Sequence, residues 1–249
     1  MRMTLNRPKV FNAIDLEMAT ELTEQLMSLS ADERMQAVVL TGNGNAFCAG
    51  GDLKWMHGFE EGAAAAVRRL VTQFHLAITE IRTMRRPVIA AINGVAAGGG
   101  FSLALACDFR VMSENATLRQ SYTSKGLSID GGGTFMLPRL VGLAKALEIA
   151  AFDRPIDAHK AQAWGLATQV VGNGEAERAA MKLADELCGR SMNSLAWSKR
   201  LLSHSFQTDL ASQLEAERAA IVACASHADG LEGLKAFVEK REPHFAGRN

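Results

Sequence analysis

Three short apolar runs constrain this chain most. "AVVLTG" (37–42), "RPVIAAING" (86–94) and "FRVMSE" (109–114) each read as a buried strand. Pro87 stands at the entrance of the second, where proline is tolerated. "RMTL" at the start reads as a shorter edge strand that stops at "NRP". Helical spacing fills the intervals. Leu16, Ala19, Leu22, Leu26 and Leu29 recur on one face of 15–29, with Asp15 placed as the cap. Further helical patterns run over roughly 60–83, 101–107, 134–150 and 157–164. From about 175 the chain is helical almost throughout, with breaks near Gly189, Gln207 and Gly230. Strands joined by helices, then helices alone, predict an α/β core and a C-terminal helical region. The boundary is placed between 185 and 186. The apolar positions of that tail require a partner, either the core or a neighbouring subunit.

Composition removes several function classes. The 249 residues carry 27 basic and 27 acidic side chains, so no basic excess points to nucleic acid. No run approaches the ~18 apolar residues of a membrane span. Cys48, Cys107, Cys188 and Cys224 are far apart and form no CxxC pair, and the six histidines show no HExxH, so no metal site is expected. Reduced, mostly buried thiols in a cytoplasmic protein are the expectation.

Glycine clusters follow the strands. "VVLTGNGNAF" opens like a dinucleotide fingerprint, but Phe47 holds the third glycine position and no acid ends a second strand about 20 residues on, so a Rossmann site is not expected. No phosphate-binding GxxxxGK[ST] is present. "FCAGGDL" (47–53) and "NGVAAGGGFSLALACD" (93–108) are more informative. Each ends a strand in small residues, and the second runs into an apolar helix. Two backbone N–H groups from two such loops can converge on an oxygen that gains negative charge during reaction. Close packing of strand on helix is the other use of such glycines. A third cluster, "GLSIDGGGTF" (126–135), places Asp130 directly before three glycines, either as a reactive carboxylate or as the cap of a helix starting near Thr134.

"TLNRPKVFNAID", "FCAGGDL", "AAINGVAAGGGFSLALACDFRV", "GLSIDGGGTFMLPRLVG", "AWGLATQVV" and "EGLKAFVEKREPHF" together resemble the crotonase superfamily, the enoyl-CoA hydratases and isomerases. The likeness spans nearly the whole chain, and the blocks keep the family's order. It implies a crotonase-like spiral of ββα units with a C-terminal helical trimerisation region, and a homotrimer or stacked homohexamer. It also implies an acyl-CoA thioester substrate, with coenzyme A part of the substrate and no separate cofactor. Carried over by position, the two oxyanion donors are the N–H groups of Gly51 and Gly99. Lys9, Val10 and Ala13 match positions beside the CoA pantetheine and nucleotide, and Ala49, Asp52 and Leu53 match the adenine-side loop. Phe237 and Lys240 match C-terminal positions that reach a CoA site. Trp55 and Met56 are expected to bound or cover the acyl tunnel.

The family's hydratases carry two glutamates, and here those positions are Ser102 and Tyr122. A serine and a tyrosine, the latter with an unperturbed pKa of ~10, are poor water-activating groups at neutral pH. Asp130 instead matches the acid of the family's Δ3,Δ2-enoyl-CoA isomerases and of the ring-opening isomerases of phenylacetate catabolism. One carboxylate suffices for moving a double bond from C3 to C2, because a base lying between C2 and C4 can take a proton from one and return it to the other. Tyr122 is expected to line the acyl pocket or to donate to Asp130. The resemblance therefore implies a fatty-acyl or aryl-acyl enoyl-CoA isomerase. Residual hydratase activity, hydrolysis through Asp130 as a nucleophile and RNA binding are the alternatives.

Overall fold

The computed structural model describes residues 1–245. Strand β1 (Arg2–Leu5) stops before Asn6-Arg7-Pro8, and helix α1 (Leu16–Ala31) starts where the Asp15 carboxylate accepts the Met18 N–H at 3.0 Å. A unit of two strands and helix then recurs. β2 (Val38–Gly42) and β3 (Ala46–Cys48) lead into α2 (Leu53–His57) and α3 (Ala63–Thr83). β4 (Val88–Ile92) and β5 (Val95–Ala97) lead into α4 (Gly99–Ala106). β6 (Phe109–Ser113) and β7 (Thr117–Arg119) lead into α5 (Gly133–Val141) and α6 (Leu143–Phe152). β8 (Ile156–Asp157), α7 (Ala158–Ala163), β9 (Gln169–Val171) and α8 (Ala176–Cys188) complete the core. The tail is α9 (Met192–His204), α10 (Leu210–Ser226) and α11 (Ala228–Glu239). The ββα spiral expected from the family resemblance is present.

The first strands of the units form a parallel sheet in the order β1-β2-β4-β6-β9. Parallel strands covered on both faces need apolar residues at every position, hence the continuous runs of the sequence. Alternation sorts those side chains. Val39, Ile89, Ala91 and Val111 face α8, whose Ala176, Ala180 and Ala184 recur every four residues and let the helix lie close. Leu40, Val88, Ala90, Ile92 and Met112 face the larger core shared with α1, α3 and α4. The second strands form another sheet, β3-β5-β7-β8, parallel except for β8.

Local patterns differ from the structure in four places. Glycine loops were expected where β3 and β5 stand. The helix expected over 134–150 is two helices, split at Gly142, whose φ of +76° ends α5. The break expected at Gly230 falls at His227 instead, and Gly230 lies inside α11, where a Cβ would meet the Cys224 carbonyl at 2.0 Å. The boundary placed at 185/186 falls in the last turn of α8, a helix that packs on the sheet. Asp108 ties the tail to the core. Its carboxylate accepts from Lys199 at 2.7 Å, from the Val88 N–H at 2.9 Å and from Arg82 at 3.4 Å. Burial pulls the Lys199 ammonium down from its ordinary range while Asp108 opposes that shift. Among the described residues, no helix is long and apolar enough to cross a membrane.

Candidate active site

β3 and β5 are parallel neighbours, so the loops that follow them emerge side by side. Their contact is tight. A Cβ on Gly100 would lie 2.1 Å from the Cys48 carbonyl oxygen, so only glycine lets the start of α4 sit on the end of β3. Gly51 forms an isolated parallel bridge with Ile14, made by the Ile14 N–H to the Gly50 carbonyl at 2.7 Å and the Asp52 N–H to the Ile14 carbonyl at 2.8 Å. In a parallel bridge of this kind the central residue's own N–H points to the opposite side. Gly99 is the first residue of α4, where an amide has no intrahelical acceptor. A Cβ on Gly99 would stand 3.7 Å from the Gly51 nitrogen. Gly51 and Gly99 therefore border one small space.

That space opens into a cavity of about 310 Å³ lined by Gly51, Gly99, Tyr122 and Asp130. Its apolar wall is one face of α3 (Val67, Leu70, Val71 and Phe74) together with Met56 of α2. Among the described residues lining it, Asp130 is the one carboxylate. The helix-cap alternative for Asp130 is not realised: Gly132 is the N-cap of α5, and no side chain caps that helix. The Tyr122 hydroxyl instead donates to Asp130 Oδ1 at 2.5 Å. Ser102 Oγ donates to the Asp130 backbone carbonyl at 2.7 Å and lies 3.2 Å from the Tyr122 hydroxyl. Burial first, and then the negative charge of Asp130, push the Tyr122 phenol well above its ordinary pKa. Tyr122 thus keeps its proton and donates it; it cannot act as a base.

Residues 1–248 match the enoyl-CoA hydratase/isomerase family. The chain belongs to that family. It is an enzyme of the crotonase superfamily acting on acyl-CoA. It is 34% identical over 249 residues to the 1,2-epoxyphenylacetyl-CoA isomerase of Escherichia coli, covering 100% of this chain and 95% of that protein. It is 32% identical over 245 residues to the crotonyl-CoA hydratase of Syntrophomonas wolfei, covering 98% and 93%. The crystal structure of an enoyl-CoA hydratase from a Polaromonas species superposes with a TM-score of 0.92 at 38% identity, covering 98% of this chain and 95% of that one. The names of the relatives divide between isomerase and hydratase.

Of the other positions carried over from this family, Ala49 and Leu53 line the cavity beside Gly51. Lys9 and Val10 are exposed on a 3-10 turn, Pro8–Val10, and Ala13 is buried behind it. The Phe11 carbonyl accepts the Ala49 N–H at 3.0 Å, so these two segments adjoin. The Asp52 carboxylate is engaged within the protein. It caps α2 through the Trp55 N–H and pairs with Arg7 at 3.0 Å, while the backbone N–H and carbonyl of Asp52 are held by Ile14 and Met56. Burial pushes the Asp52 carboxyl up, but the Trp55 N–H and the Arg7 guanidinium outweigh it and hold it below its ordinary value. Phe237, 85% exposed, and Lys240 lie on and just after α11, and neither lines the cavity. Met56 lines the cavity, whereas the Trp55 ring meets Phe59 tilted, with centroids 5.2 Å apart. Burial raises the Cys48 thiol to about 12, as befits a core filler. Sequence reasoning missed the α3 wall, although Val67, Leu70, Val71 and Phe74 have helical spacing. It also missed the contact of His75 with the Asp130 loop.

Proposed function

We propose that this enzyme is an enoyl-CoA isomerase that moves a double bond from C3 to C2 of an acyl-CoA thioester, with Asp130 as its single base. The thioester oxygen sits between the Gly51 and Gly99 N–H groups. Asp130 takes a proton from C2, the electron pair spreads over the dienolate and rests largely on the thioester oxygen, and the same carboxyl returns the proton to C4. Charge and atoms balance without a second acid or a separate cofactor. Losing one oxyanion donor in such a site costs about 10²–10³ in turnover.

One observation carries this reading: Asp130 is the single carboxylate among the described cavity residues. At the two positions where the family's hydratases hold glutamates, Ser102 and Tyr122 turn their hydroxyls onto Asp130. The likeness to the Escherichia coli epoxide isomerase supports a ring-opening variant, which would use the same enolate. For the CoA portion we assign the segments that carry Lys9, Val10, Ala13, Ala49, Asp52 and Leu53, with Phe237 and Lys240 supplied by a neighbouring subunit of a homotrimer or homohexamer. The exposure of Leu210, Ile221, Leu234 and Phe237 on α10 and α11 supports such an assembly. The test is a parallel assay of 3-enoyl-CoA and 2-enoyl-CoA with product identification. Conversion of 3-enoyl to 2-enoyl product without accumulation of 3-hydroxyacyl-CoA is expected. Dominant hydration would refute the assignment.

A further inference from the structure

The carbonyl of Asp130 and the N–H of Gly131 belong to one planar peptide unit. Both of its polar ends are held. The carbonyl accepts from Ser102 Oγ at 2.7 Å and from the Gly133 N–H at 3.0 Å. The N–H donates to His75 Nε2 at 3.1 Å. The first two partners come from α4 and from the first residue of α5. His75 comes from α3, directly after Phe74 of the cavity wall. A plane fixed at one end can still turn about it; a plane fixed at both ends cannot flip. Its orientation sets the direction of the Cα–Cβ bond of Asp130, and so where the carboxylate meets the substrate.

The geometry points to His75 as a positioning residue for the catalytic carboxylate. A ring nitrogen that accepts an N–H carries no proton of its own, so the neutral ring bears its proton on Nδ1. The role requires an acceptor at that place and nothing else of the imidazole. His75 is exposed while Gly131 is buried, so the ring reaches in from the surface to meet a buried amide. A buried N–H without a partner is disfavoured, and the loop would turn to satisfy it elsewhere. A displacement of about 1 Å in such a group can cost on the order of 10²-fold in rate. Gly131 has a φ of +58°, a conformation glycine adopts freely, so the loop depends on its contacts rather than on local sterics to hold its shape.

This inference rests on Asp130 being the base, so the experiment includes Asp130→Asn beside His75→Leu and His75→Gln. Turnover of 3-enoyl-CoA and thermal unfolding are measured for all three. The Leu side chain fills the space without an acceptor, whereas the Gln Oε1 can accept. For His75→Leu, kcat is expected to fall by on the order of 10²-fold with KM unchanged. His75→Gln is expected to recover most of that loss, and both variants should melt near the wild-type temperature. Wild-type kcat in His75→Leu beside an inactive Asp130→Asn overturns the positioning role alone. Equal losses in the Leu and Gln variants also overturn it, because the acceptor would then be irrelevant. A loss in His75→Leu that merely follows unfolding, with kcat per folded enzyme intact, overturns it too. Full activity in Asp130→Asn overturns the underlying reaction assignment, and the inference with it.

Discussion

Replacing Gly131 by alanine tests whether the loop that carries Asp130 is built as described. Gly131 has a φ of +58°, and an added Cβ would stand 2.5 Å from Phe74 Cε1 and 2.9 Å from Ser102 Cβ. The left-handed conformation costs a residue with a Cβ about 1–2 kcal/mol. Forcing a methyl into a packed site costs about 1–3 kcal/mol more. Gly131→Ala should therefore destabilise by about 2–5 kcal/mol. Gly126, in the same loop, has a φ of +72° but meets nothing within 4 Å. Gly126→Ala should incur the conformational part alone, about 1–2 kcal/mol. Urea unfolding of both variants at one protein concentration isolates the difference, about 1–3 kcal/mol, as the packing of the loop on Phe74 and Ser102. Gly131→Ala should also lose turnover, because Phe74 and Ser102 can yield only by moving the Asp130 backbone, whereas Gly126→Ala should stay active. Equal unfolding midpoints for the two variants would refute the packing argument and the fixed carboxylate that depends on it.

Gly99→Ala should separate folding from function. Its new methyl meets no atom closer than 3.7 Å, and alanine in a helix is up to ~1 kcal/mol better than glycine, so stability should hold or rise. The methyl would crowd the space before the Gly51 N–H, and turnover of 3-enoyl-CoA should fall by about 10²–10³. Acid should weaken the Asp52 contacts in a definite direction. Its folded pKa lies below the ordinary 3.8, so its stabilisation is complete above that value and lost as the pH falls through the folded value. Unfolding free energy followed against pH should therefore drop less steeply below 3.8 in Asp52→Asn than in wild type.

The sequence made α1 legible because Asp15 and five regularly spaced apolar residues act within a few turns of one another. The first-sheet strands were legible because double-sided burial leaves continuous apolar runs. The second sheet was not, because strands of three residues such as Ala46–Cys48 and Val95–Ala97 are too short to show a period. Asp130 could be singled out by its glycines, but its surroundings are Tyr122, Ser102 and the two glycine loops, which only the fold brings together. The bond from Gly131 to His75 spans 56 residues, and no local pattern encodes it. Gly142 was readable as a residue type, but both sides of it are helical, so the break shows only in its backbone angle.

The most direct test is the rate at which Asp130→Asn converts 3-enoyl-CoA to 2-enoyl-CoA, with binding of an acyl-CoA followed in the same preparation. Asparagine keeps the size of the side chain and can still accept from Tyr122, but it has no carboxylate to carry a proton. Loss of double-bond migration with folding and thioester binding intact is the predicted result. Migration at the wild-type rate would contradict the account, because some other group would then be moving the proton.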